Sequence, residues 1–113
     1  MTTRRVILED AQVPVENLLG ESGKGAYIAF NILNLGRFKL GAGAIGGAKE
    51  SLKVATRYAL ERQQFGRPIA SFQAIAFKLA DMGMEIELAR TLLYKTCWLR
   101  EQNRPFAKEA AMA

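Results

Sequence analysis

Two long helical patterns in this sequence are joined by the segment Tyr58-Ala59-Leu60-Glu61-Arg62-Gln63-Gln64-Phe65-Gly66-Arg67-Pro68-Ile69-Ala70-Ser71-Phe72-Gln73. Its Gly-Arg-Pro sequence at residues 66–68 breaks the helix, because glycine and proline both disfavour a helix interior. A connector between two helices needs only this break. The stretch also holds two arginines, two phenylalanines and three glutamines. These additional groups indicate that the connector binds a ligand.

Both flanking segments have helical periodicity. From Ala26 to about Gln64, apart from a gap at Lys39, apolar residues recur at steps of three and four: Ile28, Ile32, Leu35, Ala42, Ile45, Leu52, Ala55 and Ala59. We expect Ser71 to be the N-cap of the second helix, whose apolar positions are Ile75, Leu79, Met82, Ile86, Ala89, Leu93 and Thr96. Alternating steps of three and four predict two helices packed nearly antiparallel in a bundle.

The two ends of the chain predict further elements. Residues 4–9 have the pattern of a strand, residues 10–25 that of a glycine-punctuated loop, and residues 106–113 that of a third helix after Pro105. A single strand needs sheet partners, and this sequence supplies none. The third pattern stops after barely two turns. We therefore expect the chain to be a segment of a longer protein.

Composition excludes several classes of function. The chain has 113 residues, which suits one domain, and a net charge of +5 spread along its length. It has no histidine and one cysteine, Cys97, so neither a metal cluster of these residues nor an internal disulfide is expected. No apolar run approaches the roughly 20 residues of a membrane span. No aromatic-basic recognition module is visible, so nucleic acid is not an expected partner.

One motif admits two interpretations. Residues 41–46 read Gly-Ala-Gly-Ala-Ile-Gly, which matches the G-x-G-x-x-G dinucleotide fingerprint. That fingerprint requires a buried strand before it, and residues 34–40 make a poor buried strand. The alternative is that small residues in the first helix let another helix or a flat ligand approach closely. We favour this second interpretation.

Several ordered motifs resemble one known family. The connector matches Y-A-x-x-R-x-x-F-G-x-x-[IL]-x-x-x-Q, residues 13–20 match V-P-x-x-N-x-L-G, and residues 72–75 and 79–82 match F-Q-x-I and L-A-[DE]-M. Together they resemble the acyl-CoA dehydrogenase flavoproteins over essentially the whole chain. Residues 32–38 are most similar to the long-chain branch. The resemblance implies a mainly α fold: an antiparallel helical bundle, part of the family's C-terminal four-helix domain, preceded by one strand of its middle β-domain. It assigns residues 1–22 to the end of the β-domain and linker, and residues 23–113 to the truncated helical domain.

The resemblance also implies an activity. The family uses FAD to introduce an α,β double bond into acyl-CoA thioesters: a carboxylate removes the α-proton, and hydride passes from the β-carbon to the flavin. Electron-transfer flavoprotein then accepts the electrons. The implied assembly is a homo-oligomer, a dimer or tetramer, in the bacterial cytoplasm or the mitochondrial matrix. Two alternatives stay open: an acyl-CoA oxidase of the same fold, and a non-catalytic helical interaction module.

The resemblance places candidate FAD contacts in the connector. They are Arg62, Gln63, Gln64, Phe65, Phe72 and Gln73. An arginine fork suits a pyrophosphate, an aromatic ring can lie beside the dinucleotide, and glutamines can bond to ribose or adenine. Asn34 and Arg37 match a segment near bound acyl-CoA. Simpler roles remain possible, because the phenylalanines could pack the connector onto the core, Arg62 could pair with Glu61, and Arg37 could bridge helices.

We expect no catalytic residue in this chain. The family places its catalytic glutamate in a loop after the later helices, or on the first helix just before the arginine matched by Arg37. The first position lies beyond Ala113, and Gly36 occupies the second. Glycine cannot remove a proton. We therefore predict that the chain alone neither turns over acyl-CoA nor holds FAD tightly.

Overall fold

The computed structural model describes residues 4–113 and is mainly helical. Helix α1 spans Gly25–Glu61, helix α2 spans Gln73–Glu101, and helix α3 spans Ala107–Met112. Between α1 and α2, strands β1 (Gln63–Gln64) and β2 (Arg67–Pro68) form a small antiparallel hairpin. Short 3₁₀ turns cover Val15–Asn17 and Ile69–Ser71. The predicted mainly α class is confirmed.

Helices α1 and α2 pack antiparallel along an apolar seam. A methyl group placed on Gly83 of α2 would lie 3.8 Å from Leu52, and one placed on Gly41 of α1 would lie 3.8 Å from Leu93. Earlier positions on α1 thus face later positions on α2. All seven apolar positions predicted for α2 are buried or half-buried, and Ile86 and Thr96 are the most enclosed of them. The predicted antiparallel pair is confirmed.

The seam of α1 differs in part from the prediction. Ile32 and Ala42 were expected to face the core, and both are exposed. The buried positions in this part of the helix are Phe38 and Gly41. Steps of three residues, from Leu35 to Phe38 to Gly41, keep the stripe on one side of the helix. The gap in the apolar stripe that the sequence shows at Lys39 is therefore occupied by Phe38 and Gly41.

Helix α3 closes one end of the helix pair. The ring of Phe106, just before α3, meets the edge of Phe38 at a centroid distance of 6.3 Å. Ala110 is buried, and Glu109 pairs with Lys95 at 3.7 Å. Because aromatic edge contacts stabilise a fold beyond the area they bury, the Phe38–Phe106 contact holds α3 against α1.

The strand predicted over residues 4–9 is not present. Residues 4–8 have no regular secondary structure, and a bend follows at residues 9–10. A strand requires a hydrogen-bonded neighbour, and no part of residues 4–113 pairs with this segment. Val6 and Leu8 are consequently exposed.

Both helix boundaries at the connector differ from the prediction. Helix α1 ends at Glu61 rather than near Gln64, because the next residues enter the hairpin. Ser71 is not the N-cap of α2; its hydroxyl donates to the Pro68 carbonyl at 2.7 Å within the 3₁₀ turn. Phe72, with extended backbone, is the residue that precedes the helix. The second helix therefore begins one residue later than a Ser71 cap would require.

The G-x-G-x-x-G sequence lies inside helix α1. This placement excludes the dinucleotide fingerprint, which needs a strand-to-helix turn. Only Gly41 of this group has a close neighbour: a methyl group there would lie 3.0 Å from the Ala113 carbonyl oxygen. Gly43, Gly46 and Gly47 have no described atom within 4 Å of the same position. Close approach by a neighbouring element is therefore confirmed at Gly41, whereas the other three face open space.

The protein is elongated, with extents of 74 × 36 × 17 Å and a radius of gyration of 22.3 Å. A compact domain of this length would have a radius of about 13 Å. Many large apolar side chains remain on the surface, including Phe77, Leu88 and Tyr94 of α2. No helix among residues 4–113 is long and apolar enough to cross a membrane.

We predict different changes in stability for two glycine substitutions in α1. Gly46→Ala gains helix propensity and meets no atom, so it should raise the free energy of unfolding by about 0.5–1 kcal/mol. Gly41→Ala should gain less or lose stability, because its methyl group would press on the backbone of Ala113 and displace α3. Urea denaturation followed by circular dichroism measures both. Equal stabilisation by the two variants would contradict the packing described for Gly41.

Candidate functional site

The connector turns the chain with a two-residue hairpin. Gln64 pairs with Arg67, and Phe65 and Gly66 form the turn between them. Both turn residues have positive φ, 53° at Phe65 and 77° at Gly66. This combination defines a type I′ turn, whose twist matches that of paired strands. Asn-Gly is the usual sequence for it, so a phenylalanine at the first position is unusual.

The hairpin continues into the end of helix α1. Arg62 has extended backbone, its N–H donates to Tyr58 at 2.8 Å, and its carbonyl accepts from the Ile69 N–H at 2.8 Å. Hydrogen-bonded and non-hydrogen-bonded pairs alternate along an antiparallel ladder, so the Gln63–Pro68 pair is of the second kind. Pro68 has no N–H, but no hydrogen bond of the hairpin is lost, because a residue at this position would not donate to the paired strand. The ladder thus fixes Arg62 to the hairpin.

This register sorts the polar side chains onto two faces. Directly paired residues share a face, and successive residues alternate. Arg62, Gln64 and Arg67 therefore lie on one face of the hairpin, while Gln63 lies on the other with Pro68. One face presents two guanidinium groups and an amide. We call Arg62, Gln64 and Arg67 the basic face.

Aromatic contacts stabilise the tip of the connector. The rings of Phe65 and Phe72 meet edge to face, with centroids 6.1 Å apart at 79°. The guanidinium carbon of Arg67 lies 4.2 Å from the centroid of the Phe72 ring, within cation–π range. Phe72 is half-buried, so it does pack the connector onto the bundle. Phe65 does not, because 91% of it is exposed.

The Phe65 side chain is costly to expose in this conformation. A non-glycine residue with left-handed backbone costs about 1–2 kcal/mol, and an exposed phenylalanine gains little burial in return. Strained residues of this kind cluster at ligand sites. The geometry of Phe65 therefore favours recognition of a flat apolar group over a purely structural role.

The charges of the basic face have no acidic partner among residues 4–113. Arg62 makes no ion pair and no side-chain hydrogen bond with any of residues 4–113, so its pairing with Glu61 is not observed. The same holds for Arg67. Elsewhere Arg90 bonds to Glu87 at 2.6 Å. Two exposed and uncompensated guanidinium groups on one face suit a bound anion.

The other predicted site residues are placed as follows. Gln73 is the first residue of α2 and is exposed beside Phe72. On α1, Arg37 donates to the side-chain oxygen of Asn34 at 2.9 Å. Arg37 and Arg62 are 25 positions apart in sequence, which is about 38 Å along a helix. The structure therefore separates Asn34 and Arg37 from the connector residues.

Arg67 is not among the contacts predicted from the sequence, although the hairpin register places it on the basic face. A residue between glycine and proline in a helix break has no periodic pattern that would show its direction. The available signal was the Gln64-Phe65-Gly66-Arg67 run itself, which fits a two-residue turn if the phenylalanine adopts positive φ. Only the register shows that Arg67 shares a face with Arg62.

The chain belongs to the acyl-CoA dehydrogenase family. The sequence model described as the acyl-CoA dehydrogenase C-terminal domain matches residues 23–113. The probable acyl-CoA dehydrogenase YngJ of Bacillus subtilis is 52% identical over 111 residues, which are 98% of this chain and 29% of that protein. The chain thus spans less than a third of the length of this curated relative.

Solved structures show the same fold. Butyryl-CoA dehydrogenase from Megasphaera elsdenii superimposes with a TM-score of 0.85 at 47% identity, covering 95% of this chain and 28% of that one. A structure titled PigA with FAD and proline gives a TM-score of 0.87 at 31% identity, covering 92% and 27%. The likeness of residues 32–38 to the long-chain branch stays a prediction.

Two substitutions at the aromatic contact should show which of the two rings stabilises the packing of the connector. Phe65→Asn relieves the positive-φ strain at the turn, so the free energy of unfolding should be unchanged or rise by up to about 1 kcal/mol. Phe72→Ala removes a half-buried ring and should cost about 1–2 kcal/mol, less than a fully buried phenylalanine. Urea denaturation measures both. Greater destabilisation by Phe65→Asn than by Phe72→Ala would show that Phe65 serves packing.

Proposed function

We propose that this chain supplies FAD contacts and acyl-CoA contacts to an FAD-dependent acyl-CoA dehydrogenase. Family membership supports the class, and the basic face beside the strained Phe65 turn is the observation that supports the site. FAD carries a pyrophosphate dianion next to a flat adenine, which matches uncompensated guanidinium groups next to an exposed aromatic ring. The residues present therefore fit this cofactor.

Each connector residue has a proposed role. Arg62 binds a pyrophosphate oxygen through its fork, and Phe65 covers the dinucleotide with its ring. Gln64, on the same face, and Gln73, at the start of α2, bond to the ribose or adenine. Phe72 holds the tip in place from below. Gln63 lies on the opposite face of the hairpin, with Pro68, and would contact the cofactor only if the cofactor extended to that face.

Bound FAD would supply the acceptor for hydride removed from the acyl β-carbon, and this chain orients it. We assign no proton-abstracting residue to the chain, because Gly36, at the family's alternative position for the base, has no side chain. Arg37 and Asn34 are proposed to contact acyl-CoA. Their hydrogen bond orients the guanidinium before substrate arrives.

The distance between the two clusters indicates how the assembly uses them. About 38 Å of helix separates Arg37 from Arg62. The Asn34–Arg37 pair and the connector of one chain are therefore proposed to contact two different ligand molecules. We propose a homo-oligomer, a dimer or tetramer, in which the connector completes the FAD site of a neighbouring subunit. Electron-transfer flavoprotein is the proposed acceptor, and the bacterial cytoplasm or the mitochondrial matrix the proposed compartment.

The exposed apolar surface favours one alternative, a helical interaction module without cofactor. In that case the exposed Phe65 ring would dock on a protein, and FAD would not bind. A flavin titration separates the two functions.

We predict that FAD binds weakly to the chain and that binding depends on Arg62. Arg62→Ala should lower the affinity at least tenfold, because a charge-assisted contact is lost. Arg57→Ala, at an exposed position of α1 outside the connector, removes the same charge and should leave the affinity within about twofold. Flavin fluorescence during protein titration measures the dissociation constant. No binding by the unmodified chain, or equal losses in both variants, would contradict the proposed site.

We also predict that the chain associates with itself. The outer surface of α2 exposes large apolar residues, among them Phe77 and Leu88. Burial of these side chains against a second copy of the chain is favourable. Light scattering at increasing protein concentration should show dimers or larger species. Phe77→Lys with Leu88→Lys should shift the population toward monomer. A monomer at all concentrations in the unmodified chain would contradict the prediction.

A further inference from the structure

The Arg67 guanidinium is held in one place by its surroundings. It lies 4.2 Å from the Phe72 ring centroid, closer than Arg100 lies to Phe38 at 5.7 Å or Arg104 to Trp98 at 5.5 Å. The Phe72 ring is itself held by the edge contact with Phe65. Among residues 4–113, no carboxylate neutralises Arg67. The Arg67 guanidinium is thus oriented by the Phe72 ring, and its positive charge is available to an anion.

The hairpin register aims this group in the same direction as Arg62. Arg67 pairs directly with Gln64, and Arg62 lies two residues before Gln64 on the same strand path. Side chains two apart on one strand and directly across from each other share a face. Two like charges on one face repel each other, and an anion between them removes that repulsion.

We propose that Arg67 is a second cation for the dinucleotide diphosphate, so that Arg62 and Arg67 each bind one phosphate. This inference rests on the proposed function, because it assigns a further binding residue to the same site. The ligand chemistry is a diphosphate ester next to a planar base. A monophosphate engages only one of the two arginines.

The stacked geometry explains why arginine suits this position. A planar guanidinium can lie on a ring and still direct N–H groups outward from its edge, whereas a lysine ammonium has no plane to stack. Holding the side chain against Phe72 before binding also reduces the conformational entropy lost on contact with the ligand. The effect of Arg67 should therefore depend on its shape as well as its charge.

The test uses ADP and AMP as probes of the ¹⁵N-labelled chain, with dissociation constants taken from amide shifts. The variants are Arg67→Gln, Arg67→Lys, Arg62→Gln and, as a matched charge control, Arg57→Gln. We expect Arg67→Gln to weaken ADP about tenfold and Arg67→Lys about threefold, and Arg57→Gln less than twofold. The unmodified chain should bind ADP more tightly than AMP, and this difference in affinity should largely disappear in the Arg67→Gln variant.

The outcomes separate this inference from the function on which it rests. If Arg62→Gln weakens ADP and Arg67→Gln does not, the second cation is wrong and the FAD site stands. Equal losses in Arg67→Gln and Arg57→Gln also overturn the inference, because net charge alone would then explain them. If the unmodified chain binds neither ADP nor FAD, the proposed function fails. Amide shifts of residues far from the connector verify that each variant is folded.

Discussion

The chain reverses direction within residues 62–72, and the packing of the long helices depends on this reversal. A type I′ turn at Phe65-Gly66 provides the sharpest change, and the Arg62–Ile69 hydrogen bond closes the hairpin behind it. Because α1 and α2 enter and leave the same small hairpin, their apolar seams meet in antiparallel register. A longer or looser connector would let the seam slide by a helical turn.

The same constraint produces the candidate site. A hairpin has two faces, and this one places Arg62, Gln64 and Arg67 together, with neither arginine in an ion pair with any of residues 4–113. The Phe65–Phe72 edge contact and the Arg67–Phe72 contact stabilise the tip and offset the backbone strain at Phe65. Preorganisation of this kind lowers the entropy that binding must overcome.

Much of the fold could be predicted from the sequence, and the failures have physical reasons. The α2 seam was predictable because its apolar residues recur at regular steps of four and three, whereas in α1 Phe38 lies between Arg37 and Lys39, and Gly41 has no hydrophobic side chain. The hairpin was missed because strands of two residues have no periodicity. Sequence motifs identified the family and predicted that the connector is its cofactor segment. They could not show that Gln63 and Gln64 face opposite ways, since that depends on register.

We expect the connector to recognise a dinucleotide and the glycine-rich part of α1 to make no contact with it. Amide chemical shifts of the ¹⁵N-labelled chain during titration with FAD report on both segments at once. The largest shifts should fall within residues 62–73, with Gly66 and Arg67 among them. Little change is expected at residues 41–46. Shifts centred on residues 41–46, or none within the connector at saturating FAD, would contradict this expectation.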